Sequence, residues 1–316
     1  MNIVSSYFIV RKLRGTIALG GDIQQHQQAR QAEYLDCLRY NRDHPGVAAI
    51  HLLVEGTEAY RHLVQHLLLE DQHSKLSRAA CAPDVRRRCS AAPIVPIVRL
   101  GGGMPTYAAF FRHANQLAVQ RLTMVCNADV YLSPHHFNVS GVQQLFQDAA
   151  ARVNQQKKVH WTARTEDEGA PASTATVKSP ATSSLLPHAG NKVKLALALT
   201  RYESDNVGDA PFLYDYRGSH DAFVFVPPVP VSFITRVDHA QNGYKAENVV
   251  LHELQQHHYL TLNPAFDLRL VHRHAADVRQ WFPPVDETRY GRAYPCTLAA
   301  ASVRLSELGA EVVPAH

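Results

Sequence analysis

Asn127-Ala128-Asp129 and His272-Arg273-His274 lie about 140 residues apart, and each closes an apolar, strand-like run. A carboxylate delivered to a strand end can ligate Mg2+ or Mn2+, with diphosphate oxygens and water filling the other positions. Along a strand, alternation places the His272 and His274 imidazoles on one side and Arg273 on the other, which permits a pair of ligands. Asp129, His272 and His274 are therefore the metal candidates, expected to meet at one divalent ion. Each has a plainer alternative. An Asp after a strand serves as a turn residue, and histidines at a strand end can simply be solvated.

A second group of residues suits proton transfer and substrate contact. In Asn242-Gly243-Tyr244-Lys245-Ala246-Glu247-Asn248 a turn leads into a helix whose first turn carries Glu247 and Asn248. Glu is favoured there by the helix dipole alone, and in reach of a hydroxyl it is also a general base. Asp221, in Ser219-His220-Asp221, precedes a strand and is the second catalytic candidate, as an orienter of hydroxyls or as the base in place of Glu247. That tripeptide is not a Ser-His-Asp triad, whose members are distant in sequence. Arg201 follows a strand and suits a phosphate or a carboxylate. With Asn127, Ser219, His220 and Asn248 it completes the substrate-binding candidates. Gly101-Gly102-Gly103 lacks the spacing of a phosphate-cradling loop.

These residues need a frame. Residues 3–10 and 47–54 are apolar runs of the kind that form strands in a sheet, with helices expected over 24–41 and 62–69. In the first helix Ala29, Ala32, Leu35 and Leu38 recur at helical spacing. Residues 92–100, with Pro93 and Pro96, suggest a short edge strand. Pro105 opens a helix over 107–120, leading into a strand over 121–130 that ends at Asn127 and Asp129. Further strands are expected over 193–200, 222–226, 231–237 and 259–262, and in a run ending at His272. Helices are expected over 246–257 and 298–308. This order predicts an α/β fold, with a mostly parallel central sheet and helices on both faces. Residues 1–285 would form one domain and 286–316 a C-terminal extension. Residues 164–192 are poor in large apolar side chains and cannot offset their ordering entropy by burial, so a mobile, disordered insertion is expected there.

The chain has 316 residues and 46% hydrophobic content, enough for a substantial core. Its net charge of +4, from 32 Lys and Arg against 28 Asp and Glu, is too small and scattered to argue for nucleic acid or a membrane surface. Arg86-Arg87-Arg88 reads as a solvated loop. Five cysteines without C-x-x-C spacing argue against a disulfide framework and a cysteine zinc site, so a reducing, cytoplasmic setting is expected. The basic residues after 3–10 reverse the charge order of a secretory signal, and no run approaches transmembrane length.

Taken in order, a set of short motifs resembles a family of GT-A-like glycosyltransferases. They are Asn41 with Ile50-His51-Leu52-Leu53-Val54-Glu55, Pro105-Thr106-Tyr107 with Phe110-Phe111 and Asn115, Asn127-Ala128-Asp129-Val130, Leu199-Thr200-Arg201-Tyr202, Ser219-His220-Asp221-Ala222-Phe223-Val224-Phe225, Glu247-Asn248, Asn263-Pro264 and His272-Arg273-His274. The resemblance runs from about Ile3 to Arg279, outside 164–192. It implies a GT-A-like (Rossmann-like) fold, a divalent metal (Mn2+ or Mg2+), a nucleotide diphosphate sugar donor and a hydroxyl acceptor such as a glycan. It also implies that Asn127 and Asp129 belong to the motif that binds metal and nucleotide sugar. Glu247 takes the place of the catalytic base, and a late histidine, His272 or His274, that of a metal or diphosphate ligand. The chain departs from the family in Lys245-Ala246-Glu247-Asn248, where the family form is Gly-Cys-Asp-Asn, and in offering one carboxylate in Asn-Ala-Asp where many members have two. Two other functions would use the same residues. One is a metal-dependent nucleotidyl or phosphoryl transferase, which should carry a Lys- and Gly-rich phosphate loop where this chain has only Gly15 and Gly20-Gly21. The other is a catalytically degenerate sugar-nucleotide-binding or scaffold protein.

Overall fold

The computed structural model describes residues 1–10, 23–68, 91–100, 103–117, 121–166, 194–204, 219–241, 243–274 and 284–310, with backbone alone for 153–166 and 308–310. The basic triplet 86–88, Gly101, Gly102, Asn242 and residues 167–192 of the expected insertion lie outside the described residues.

Four apolar runs, Asn2–Tyr7 (β1), Ala49–Glu55 (β2), Ile94–Arg99 (β3) and Thr123–Cys126 (β4), lie parallel to one another, with β1 between β2 and β4. Val130–Phe137 (β5), Lys194–Leu199 (β6), Arg201–Ser204 (β7), Ala222–Phe225 (β8), Tyr259–Leu262 (β9) and Leu268–Arg273 (β10) complete the strands. Seven of them form a central sheet in the order β3-β2-β1-β4-β8-β6-β9, in which β8 alone runs against its neighbours. The fold is thus mixed α/β with a mostly parallel central sheet, as the alternation of elements predicts. β3 sits at the edge, where its Pro96 forfeits no central ladder. β5, β10 and β7 form a second, small sheet.

The helices are Ile23–Asp43 (α1), Gly56–Leu63 (α2), Tyr107–Ala114 (α3), Val139–Glu166 (α4), Val231–Arg236 (α5), Ala246–Gln256 (α6) and Leu298–Ala310 (α7). They cover both faces of the central sheet because strand side chains alternate. Ala222 and Val224 of β8 join a core with Leu35, Leu63, Leu145 and Leu305 from α1, α2, α4 and α7. Phe223 and Phe225 join the opposite core with Phe111, Phe233 and Leu254 from α3, α5 and α6. There Phe111 meets Phe225 at 5.1 Å and Phe233 edge-on at 4.8 Å. Burying one such side chain contributes about 1.5–3 kcal/mol.

Several expected elements differ. Residues 231–237 form helix α5 and a turn, not a strand. The β-branched content favours extension, but Pro230 at the N-cap and burial of Phe233, Ile234 and Val237 on one side give the helix, whose first bond runs from Ile234 N to Pro230 O. α3 stops at Ala114 because the Asn115 side chain turns aside to hold Val229, donating to its carbonyl at 2.9 Å and accepting from its N at 2.8 Å. The strand expected over 121–130 divides at a turn, β4 ending at Cys126 and β5 beginning at Val130. β1 ends at Tyr7. The helix expected over 62–69 begins earlier, as α2, and continues as a π-helical turn over Val64–Leu68. Residues 164–166 belong to α4. No helix among the described residues is long and apolar enough to cross a membrane.

Two buried asparagines position the strand ends that matter below. Asn41, late in α1, donates to Val130 O at 2.9 Å and accepts from Leu132 N at 3.0 Å, which anchors the start of β5. Asn263 donates to Thr200 Oγ1 at 2.8 Å and accepts from Thr200 N at 3.2 Å, which fixes the junction of β6 and β7.

Candidate active site

β10 lies between β5 and β7, and its register sets His272 opposite Val130 on one side and Glu203 on the other. Asp129 immediately precedes Val130, and its carbonyl accepts from Arg273 N at 2.9 Å. The two distant segments therefore meet through backbone pairing. His272 Nε2 lies 3.0 Å from Asp129 Oδ2, and its Nδ1 lies 2.6 Å from Glu203 Oε2. The His272 and His274 rings are 5.4 Å apart, whereas Arg273 pairs with Asp36 of α1 at 3.1 Å. One ligand atom from each of Asp129, His272 and His274 falls within 4.8 Å of the others.

Arg30 of α1 completes this cluster. Its side chain, 5% exposed, donates to Glu33 Oε2 and to Arg273 O, both at 2.7 Å, and to Asp129 Oδ2, over the Tyr34 ring. Burial alone would push the Asp129 carboxyl up, but the positive His272 and Arg30 outweigh it and hold it well below the usual carboxylate range. Burial likewise opposes the His272 charge, yet Asp129 and the hydrogen bonds of Asp129 and Glu203 raise that imidazole to about 8. Glu203 falls to about 2, because its bonds to His272 and Arg201 overcome its burial. In the neutral imidazole, Nδ1–H donated to Glu203 leaves the Nε2 lone pair facing Asp129. Carboxylates commonly orient metal-ligating histidines in this way, so the donor set fits a divalent cation.

The second cluster forms where β4, β6 and β8 reach the same edge of the central sheet. Asn127 N donates to Asp221 O at 3.0 Å, and Asp221 N to Leu199 O at 3.1 Å. Asp221 Oδ1 accepts from Asn127 Nδ2 at 2.8 Å and from Arg201 Nη1 at 2.9 Å, and Arg201 Nε reaches Glu203 at 2.6 Å. Ser219 Oγ donates to Asp221 Oδ2 at 3.3 Å. Lys245, at φ +61°, turns the chain into α6 and brings Glu247 Oε1 to 3.4 Å from the Asn127 amide. Gln241 Nε2 orients that amide by donating to Asn127 Oδ1 at 2.7 Å. Burial, and next the charge of Asp221, push the Glu247 carboxyl up to about 8, against the hydrogen bond from Asn127. Both effects favour the protonated form of Glu247.

Two substrate-binding candidates point away from both clusters. His220 is fully buried, and burial pushes its imidazole down to about 4. Asn248 is buried too, with Nδ2 donating to Gly291 O at 3.1 Å. Arg201 is engaged by two carboxylates of the chain itself.

No protein-family model matches the chain, and no curated protein matches it. Among solved structures it is similar to a UDP-glucose pyrophosphorylase complexed with UDP-glucose, at 9% identity over 98% of each chain with a TM-score of 0.30. It is also similar to HddC from Yersinia pseudotuberculosis, at 12% identity over 71% of this chain and 76% of that one with a TM-score of 0.25. At these TM-scores neither likeness bears on fold or function.

No local sequence pattern marks Arg30, Glu203 or Gln241. Arg30 is one of 32 basic residues in the chain, and the only periodic signal of its helix is the apolar stripe. Glu203 was accessible in principle: on a strand, Arg201 and Glu203 share one face. That strand, β7, follows β6 after a single residue, too short a break to show as a turn in the sequence.

Proposed function

We propose that the chain is a metal-dependent glycosyltransferase that moves a sugar from a nucleotide diphosphate sugar to a hydroxyl acceptor. The convergence of Asp129, His272 and His274 beside the Asn127–Asp221–Glu247 cluster carries this proposal. Asn127 and Asp129, two residues apart and so no more than about 7 Å between Cα atoms, belong one to each cluster. Sugar transfer needs this adjacency, with leaving-group stabilisation on one side and a proton acceptor on the other.

Asp129, His272 and His274 would hold the ion, and two imidazoles with one carboxylate suit Mn2+ better than the oxygen-seeking Mg2+. When bound, the ion supplies positive charge to the donor diphosphate and to the leaving group. Glu203 holds the His272 ring in orientation, and Arg30 holds Asp129. Glu247, once ionised, takes the proton of the acceptor hydroxyl. Asp221 raises the proton affinity of Glu247, Arg201 and Ser219 hold Asp221, and Asn127 spans the two carboxylates. A nucleotidyl transferase attacked by an already ionised phosphate would use the same metal set but would have no work for such a base.

Incubation with a panel of nucleotide sugars and Mn2+ tests the proposal. Slow release of nucleoside diphosphate from at least one donor is expected, and its loss in Asp129→Asn. No release from any donor, together with no metal-dependent thermal shift by any nucleotide, would overturn it.

A further inference from the structure

The geometry points to a second cation site, where His51 of β2 and His113 of α3 offer two ring nitrogens to one divalent ion of the zinc type. It shares no residue with the Asp129 cluster and does not depend on the transferase proposal.

Both histidines are delivered by regular elements, 62 residues apart in the chain. Along β2, alternation puts His51 on the same face as Leu53, which packs in one core with Phe110 and Ala114 of α3. His113 follows Phe110 by three residues, so it lies on the same side of that helix. Strand pairing holds His51 between Val4 of β1 and Val95 of β3. His51 Nδ1 and His113 Nε2 lie 3.2 Å apart, with ring centres 5.2 Å apart and ring planes inclined by 50°. The rings therefore meet at their nitrogen edges and are not stacked.

Two imidazoles on one tetrahedral Zn2+, each about 2.0–2.1 Å from the metal, set their ligating nitrogens about 3.3 Å apart. The separation of 3.2 Å matches that spacing. Without an ion, one N–H must lie between the two nitrogens. An ion replaces that proton and takes both lone pairs. Burial lowers both imidazoles from their usual value and no carboxylate acts on either, so both are neutral at neutral pH, the form that ligates. The Gln116 side chain hydrogen-bonds the His113 imidazole, as outer acceptors do for ligating histidines. His113 also stands in the last turn of α3, where the helix dipole favours a cation. His62 and His66 adjoin as well, but His62 Nδ1 is engaged by the Tyr7 hydroxyl at 2.8 Å. Imidazoles without a carboxylate favour Zn2+ or Cu2+ over Mn2+, which leaves Mn2+ to the Asp129 cluster. With water completing its coordination, the ion would tie α3 to β2.

Isothermal titration with Zn2+ of the whole protein, of His51→Ala and of His113→Ala tests this assignment. The unmodified protein should bind one equivalent of Zn2+ more than either variant, with circular dichroism unchanged in both. The unmodified protein also gives a second reading that needs no substitution. At about ten times its dissociation constant, Zn2+ should slow the acylation of His51 and His113 by diethyl pyrocarbonate about tenfold, read by peptide mass spectrometry. Where a variant loses its circular dichroism, this acylation decides. Zn2+ binding of the same stoichiometry in the two folded variants is adventitious binding to other histidines and overturns the assignment. Acylation of the pair at equal rates with and without Zn2+ overturns it too, and leaves the two rings as partners in a shared-proton hydrogen bond.

Discussion

The Asp129 cluster and the Asp221–Glu247 pair approach each other within two residues of chain, yet they treat negative charge in opposite ways. Around Asp129 and Glu203 the chain supplies Arg30, His272 and one edge of Arg201, so both carboxylates are held ionised despite burial. Around Asp221 and Glu247 it supplies the other edge of Arg201 and otherwise neutral donors, Asn127 and Ser219, and Glu247 is driven to about 8. The contrast lies in the ratio of cations to carboxylates, since both regions are shielded from water. One region is arranged to keep a charge and present it to a cation, the other to give a carboxylate a high proton affinity, so that once ionised it can take a proton.

Substitutions that erase one side of the contrast should have the largest effects. Asp129→Asn should lower metal-dependent turnover by about 1,000-fold. It should also destabilise the fold by about 3 kcal/mol in urea titration, because Arg30 loses a buried partner. Glu247→Gln should lower acceptor-dependent transfer by about 100-fold or more while donor hydrolysis falls less. Its stability signature runs the other way. A carboxyl whose folded pKa exceeds its unfolded value binds more protons when native, so the protein loses stability as pH rises from about 4.5 to about 8. Glutamine does not ionise, and the variant should therefore melt about 5–10 °C higher than the parent at pH 8 and equally near pH 4.

A smaller effect is expected from the residue that orients His272. Glu203→Gln should weaken metal binding by about 10–100-fold, measured by competition with a chelating dye, with less change in melting temperature than Asp129→Asn. The pH profile of kcat/KM gives the subtlest comparison. Because the base acts in its ionised form, the rate should climb with pH and level off above about 8. Asn127→Ala, which removes the amide that stabilises ionised Glu247, should move that plateau to higher pH.

The two regions were not equally legible in the sequence. Asp129 and His272 stand at the ends of apolar runs, and strand periodicity is enough to aim both toward a sheet edge. Glu247 is visible as the acid in a helix's first turn. Neighbouring residues misled where direction was at stake. Successive helical residues point about 100° apart, so Glu247 faces the sheet edge while Asn248 faces Gly291. In extended chain the side chains alternate, so Ser219 and Asp221 share a side while His220 turns into the core. Arg30 and Gln241 act through tertiary placement, which leaves no local pattern. Residues 231–236 show the same limit in the fold: their β-branched composition suggests a strand, and packing of Phe233 against Phe111 decides for a helix.

The central claim is that Asp129 and the two histidines hold one divalent ion with a nucleotide diphosphate. Electron paramagnetic resonance titration with Mn2+, with and without a panel of nucleoside diphosphates, tests it most directly. The account predicts saturable Mn2+ binding that at least one diphosphate tightens, that Asp129→Asn and His272→Ala abolish, and that Glu247→Gln retains. Mn2+ binding of equal strength in Asp129→Asn, or no saturable binding with any diphosphate, would contradict it.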